Sequence, residues 1–163
     1  MTLPLYPTDE MVAAAWIGTI PDLSRDMTGE VLPPDVGADG TVAPWVGTGF
    51  VTVTLVGGNP DDSLPVQRPV VQVDVWTTDP GSNKPPWRMA HAIATAIVRA
   101  TWDRNNIARA LPITENGVTY PPAAVKNAYV TSAFRRMYDD ASDYAHLQGD
   151  LALEWVTVND RLA

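Results

Sequence analysis

The sequence predicts an α+β domain in which a mostly antiparallel sheet is backed by one main helix and a short N-terminal helix. Three observations carry this expectation. Residues 50–56, 70–77, 125–138 and 144–158 have the alternation and the β-branched or aromatic content of strands. Residues 87–102 repeat apolar side chains at helical spacing. The 15 prolines and 11 glycines gather mainly at residues 18–49, 57–69, 80–86 and 121–122, the distribution of long loops around a compact core. At 163 residues and 45% hydrophobic content the chain fits one domain, residues 1–163, with no internal repeat.

The first element is a short helix over residues 8–18. Thr8 is a good N-cap, and Asp9 and Glu10 suit the positive end of a helix dipole. Met11, Ala14, Ala15 and Gly18 fall on one stripe, and Pro21 lies just past the end. Residues 19–48 carry prolines and glycines without sustained periodicity. So long a stretch inside a compact domain tends to be functional, and it is expected as an extended loop or arm that touches a partner.

Phe50 to Val56 reads FVTVTLV and stops at Gly57-Gly58, with Val51, Val53 and Leu55 opposed to Thr52 and Thr54. Val70 to Thr77 repeats the pattern, Val71, Val73 and Val75 alternating with Gln72, Asp74 and Trp76. The intervening loop is too long for a tight turn but pairs neighbouring strands readily. After the loop TDPGSNKPP comes the main helix, Trp87 to Trp102, whose Ala90, Ile93, Ala94, Ile97 and Val98 face the sheet. Residues 111–114 and 118–120 flank Glu115-Asn116-Gly117, and Asn-Gly is the strongest short hairpin signal. Two long strands follow at 125–138 and 144–158. In the second, Ala145, Leu147, Leu151, Leu153 and Trp155 alternate with His146, Gln148, Asp150 and Glu154.

Composition narrows the function. The formal charge is −8, so the chain as a whole is not built to hold a polyanion. That charge is unevenly placed: residues 1–83 hold two basic and eleven acidic side chains, residues 84–136 eight and two, and residues 137–163 one and six. Cysteine is absent, which excludes disulfides, thiolate metal sites and a cysteine nucleophile. The longest apolar run, Met11 to Ile17, falls far short of the roughly 20 residues that cross a bilayer. No secretory signal pattern opens the chain, so a soluble, unexported protein without a membrane partner is expected.

Catalytic and metal motifs are sparse. The two imidazoles, His91 and His146, have no partner at metal spacing, and each reads as a structural or surface residue before a general base. There is no G-x-S-x-G, S-x-x-K or phosphate-binding GK[ST] signature. Asp139, Asp140 and Asp143 offer oxygen ligands for a hard cation, but the run lacks a glycine bend and a bidentate glutamate and suits a turn equally. Asp61-Asp62 reads the same way. Among six tryptophans, Trp45 and Trp87 lie in or beside Pro/Gly loops and are candidates to anchor a subunit contact, core packing being the alternative. Arg135 and Arg136, followed by Asp139 and Asp140, form a compact dipolar patch suited either to plain solvation or to a head-to-tail contact between copies.

The strand FVTVTLVGGNPDD, the strand RPVVQVDVWTTDPGSNKPPW, the helix RMAHAIATAIVRAT and the ending FRRMYDDASDYAHLQGDLALEWV together resemble the tail terminator proteins of long-tailed, siphovirus-type actinobacterial phages. The resemblance covers about residues 48–158 and the N-terminal helix; the 19–48 arm is not covered. It implies a virion structural protein that assembles in the host cytoplasm as a homohexameric ring on the head-proximal end of the tail. Such a ring ends tube polymerisation and docks to the connector or stopper of the head. The implied partners are further copies of itself, the tail tube protein and the head–tail connector, with DNA passing through the lumen without specific binding; no cofactor or bond-breaking is implied. Three other readings compete. One is a stopper or adaptor ring of the same junction. Another is a nucleic-acid-binding module using Lys84, Arg88, Arg99, Arg104 and Arg109, of which Arg88 and Arg99 share a helix face. The last is a small enzyme with His91 or His146 as base beside a carboxylate such as Asp74.

Overall fold

The computed structural model describes residues 5–107, 110–138 and 143–158. Its elements are α1 (Asp9–Gly18), β1 (Thr28–Gly29), α2 (Trp45–Thr48), β2 (Phe50–Gly58), β3 (Pro69–Thr78), α3 (Trp87–Trp102), β4 (Ala110–Glu115), β5 (Val118–Met137) and β6 (Tyr144–Thr157), with 3-10 turns at Arg25–Met27 and Arg104–Asn106. The six strands form one sheet in the order β1-β2-β3-β6-β5-β4, antiparallel except for the β1–β2 pair. The expected α+β class is therefore the observed one.

The register explains the core. Val51 and Val53 of β2 stand opposite Val75 and Val73 of β3, and Val75 and Val71 stand opposite Leu147 and Leu151 of β6. With a side-chain period of two, these residues share one face. Ala90, Ile93, Ala94, Ile97 and Ala100 of α3 complete the same buried cluster. On β6 all five residues expected to face the core are buried.

α1 begins as expected, the Thr8 hydroxyl accepting from the Met11 N–H at 3.2 Å. The stripe read from the sequence understates its burial, since Val12 to Ile17 are all buried, the whole circumference of the helix. A helix apolar all round needs cover on every side. The curl of the sheet provides it: α1 packs against β1 and β2 at one edge and against β4 at the other. Three further contacts hold it there. Trp16 Nε1 donates to the Asn106 carbonyl at 3.0 Å, and Trp155 Nε1 donates to Asp9 Oδ1 at 2.8 Å. Gly18 lets the next turn approach, because a Cβ there would lie 2.9 Å from the Arg25 backbone.

The Asn-Gly hairpin forms with both residues at positive φ (Asn116 52°, Gly117 77°), the geometry of a type I′ turn. The strand that follows departs from expectation. Residues 118–120 and 125–138 are not separate elements but parts of one 20-residue β5 that runs through Pro121 and Pro122. Proline breaks a ladder only where its missing N–H is needed. The β5–β6 register begins at Ala123, just after the pair, and the β4–β5 register is irregular between Leu111 and Ile113. Residues 19–48, expected as an extended arm, are anchored at both ends: Thr28 and Gly29 join the sheet beside β2, and α2 packs on the sheet face away from α1 and α3.

Candidate functional site

The sheet face away from the helices carries a polar row that crosses four strands. Thr52, Asp74, Gln148 and Arg135 stand opposite one another on β2, β3, β6 and β5, with Phe50, Trp76, His146 and Met137 in the adjacent row. His146 Nε2 lies 2.6 Å from Asp74 Oδ1, and the two side chains are only 8% and 7% exposed. Gln148 Nε2 donates to the same carboxylate oxygen at 3.1 Å, and Gln72 Nε2 donates to Oδ2 at 2.9 Å. Arg135 Nη2 extends the chain by donating to Gln148 Oε1 at 3.2 Å. The His146 ring stacks on Trp76 at 3.7 Å, and Trp76 Nε1 donates to the Thr52 hydroxyl at 3.0 Å.

Burial is the largest influence on Asp74 and pushes its pKa up. The hydrogen bonds from His146, Gln72 and Gln148, with the charge of His146, outweigh it and hold the carboxyl below its ordinary value. Sequence reading placed His146 on a polar strand face and named Asp74 as its carboxylate in the enzyme alternative. The structure brings the two together, but inside a packed network. With both side chains buried and both carboxylate oxygens engaged, the pair cross-links β3 to β6. His91 is not part of this network; it is exposed on α3.

The candidate interface residues separate in space. Trp45 is 5% exposed and sits inside a small second cluster with Val46 and Phe50. Its ring meets Phe50 edge-on at 6.5 Å and Tyr144 at 5.8 Å, and its Nε1 donates to the Pro34 carbonyl at 3.2 Å. Of the two readings open for Trp45, core packing is the one seen within this chain: Trp45 fastens residues 30–48 onto the sheet, helped by a hydrogen bond between Tyr144 and the Asp35 side chain. Burial and that carboxylate together raise the Tyr144 pKa, burial having the larger effect.

Trp87, the first residue of α3, is half-buried. The Arg136 guanidinium lies over its ring at 4.5 Å, and Tyr138 meets it at 6.2 Å. Arg135 and Arg136, read as one patch, point to opposite sheet faces because neighbouring strand residues alternate: Arg136 opposes Leu147 and Arg135 opposes Gln148. Asp139 and Asp140 lie outside the described residues; Asp143, the third member of the candidate cation run, is exposed just before β6. Among the described residues no group of three or more His, Asp or Glu side chains could hold a metal ion. Asp61 serves its own loop. Its Oδ1 accepts from Ser63 N, Ser63 Oγ and Leu64 N, its Oδ2 pairs with Arg68 at 2.6 Å, and these bonds hold its pKa at about 2.

Two surfaces stand out by charge. The outer side of α3 carries Arg88, His91, Thr95 and Arg99 around a shallow depression, and α3 has no acidic side chain. Arg88 and Arg99 do share a face, as their spacing predicts; Arg109 lies outside the described residues. The second surface is acidic and went unnoticed in the sequence, because it joins residues from three distant segments. Arg25 Nη2 reaches across to Glu115 Oε2 at 3.5 Å, joining the β1 side of the curled sheet to the end of β4. Glu30 and Glu10 lie close by: burial first, then the charges of Glu10 and Glu115, raise the Glu30 pKa against the opposing effect of Arg25. Glu10 is fixed there by accepting from the Leu55 N–H at 3.3 Å.

The fold and these surfaces define a helix-backed α+β sheet protein with charge separated between two regions. No known family model matches the chain, and no curated protein matches it.

Proposed function

We propose that this chain is a structural component of a phage tail, a terminator that assembles as a ring on the head-proximal end of the tail tube. The ring ends polymerisation of the tube and docks to the head connector. The observation that carries the reading is the segregation of charge. The exposed cations of α3 and the carboxylates near Arg25 occupy separate surfaces, and neither Arg88 nor Arg99 forms an ion pair among the described residues. Oppositely charged patches steer like copies into head-to-tail contact, and such contacts close into rings when their rotation permits. The resemblance of β2, β3, α3, β5 and β6 to tail terminators supplies the particular ring. A net charge of −8 suits a lumen that lets DNA pass without gripping its phosphates.

In this reading the protein breaks no bond and needs no cofactor, and the Asp74–His146 network serves as a brace. The test is negative-stain imaging of purified protein mixed with polymerised tail tube. Rings seated at one end of each tube, with tubes of uniform length when the protein is present during polymerisation, are expected. Tubes that lengthen unchecked and carry no cap would refute the terminator role, and binding to the portal-side connector alone would favour a stopper or adaptor. The basic face of α3 favours one further reading, a nucleic-acid-binding module. A salt-dependent shift of duplex DNA at moderate ionic strength would support it over the ring.

A further inference from the structure

We infer that the outer face of α3 in one copy docks against the glutamate cluster at the closing seam of the sheet in a second copy, through Arg88 and Arg99 on one side and Glu30 and Glu115 on the other. This rests on the ring reading above and specifies its contact.

The α3 face is a built surface, not scattered charge. Arg88, His91, Thr95 and Arg99 follow at steps of three and four, so they form one line along the exposed side of the helix. Ala92 and Ala96 lie between them in the same depression and leave the floor of the line low. Protruding side chains of a partner can therefore approach the guanidinium groups without meeting bulk. The opposite side of the helix is taken up by the sheet through Ala90, Ile93, Ala94 and Ile97.

The seam is the electrostatic complement. Glu10, Glu30 and Glu115 come together there from α1, the stretch after β1, and β4, with Arg25 paired to Glu115 beside them. Arg25 is itself committed, its Nη1 donating to the Thr28 carbonyl and hydroxyl at 2.9 Å each. Arg25 pairs with Glu115 and acts on Glu30, while Glu10 adds a third negative charge beside Glu30, an excess that further guanidinium groups would offset. Arg is suited to this, because its planar fork can engage a carboxylate through two hydrogen bonds. The donor and acceptor surfaces differ, so each copy offers both and the contact can propagate from copy to copy.

A charge-swap experiment tests this. Variant R88E/R99E carries acid on both surfaces, and variant E30K/E115K carries base on both; E30K alone is a milder form should loss of the Arg25 pair unsettle the fold. Each is first checked by thermal melting and then sized by light scattering across a concentration series. Wild-type protein should assemble, with the midpoint moving to higher concentration as salt rises. Each variant alone should need at least about tenfold more protein to assemble. An equimolar mixture of the two should recover assembly, since acid then meets base at every contact. If the variants assemble like wild type, or the mixture fails to recover although both are folded, the docking is refuted while a ring of other geometry stands. If wild-type protein neither assembles alone nor seats on tail tube, the ring reading fails with it. A DNA shift abolished in R88E/R99E without any self-association would give the α3 face to nucleic acid instead.

Discussion

Replacing His146 with alanine tests the brace on the second sheet face. The substitution leaves the Asp74 carboxylate buried with Gln72 and Gln148 as its remaining donors in the network. It also strips the stacked ring from Trp76. Breaking a buried pair by removing one partner costs about 3–5 kcal/mol. Two retained donors place this pair near the lower end, so a loss of about 3 kcal/mol is expected. For a chain of this size each kcal/mol lowers Tm by about 2–4 °C, hence a drop of roughly 6–12 °C. The double variant D74L/H146L, which removes both polar groups, should lose less than the sum of D74L and H146L by at least about 1.5 kcal/mol. Urea unfolding at neutral pH followed by tryptophan fluorescence measures all four proteins. Asp74 adds a pH signature. Its folded pKa lies below the ordinary 3.8, so the stabilisation is complete above that value and fades as pH falls through the folded pKa. D74N should therefore flatten the acid limb of the stability curve. A loss under about 1 kcal/mol for H146A, or strict additivity in the cycle, would show that the network contributes no cooperative stability and refute the reasoning.

Three further outcomes follow from the packing. Trp45→Ala removes the centre of the second cluster and should cost about 3–5 kcal/mol, with protease cleavage within residues 30–44 accelerating well before global unfolding, as limited proteolysis would detect. Gly58→Ala should cost at least about 2 kcal/mol in denaturant titration, because φ is 90° there and a Cβ would strike the Arg68 carbonyl and Pro69 across the β2–β3 pair. Thr8→Ala removes the α1 cap and should cost about 1 kcal/mol, readable as a Tm decrease of a few degrees, whereas Thr8→Ser should leave it nearly unchanged.

The core-facing residues of β3 and β6, the bounds of α3 and the presence of a hairpin turn at Asn116-Gly117 were legible in the sequence. Each rests on local periodicity or on one residue's backbone preference, which neighbouring residues report without the rest of the chain. The continuity of β5 through Pro121-Pro122 was not legible, because a missing N–H matters only when a partner strand asks for it. Nor was the full burial of α1, since a strand's twist does not reveal how far six strands will curl around a helix. For Trp45 the sequence leaves a subunit contact and core packing both open, because its flanking prolines and glycines describe a loop and the cover over that loop comes from Phe50 and Tyr144. The pairing of His146 with Asp74, the parting of Arg135 from Arg136 and the meeting of Glu10, Glu30 and Glu115 share one cause. Side chains distant along the chain become neighbours only through strand register and sheet closure. Periodicity determined which residues face inward; the register determined which of them touch.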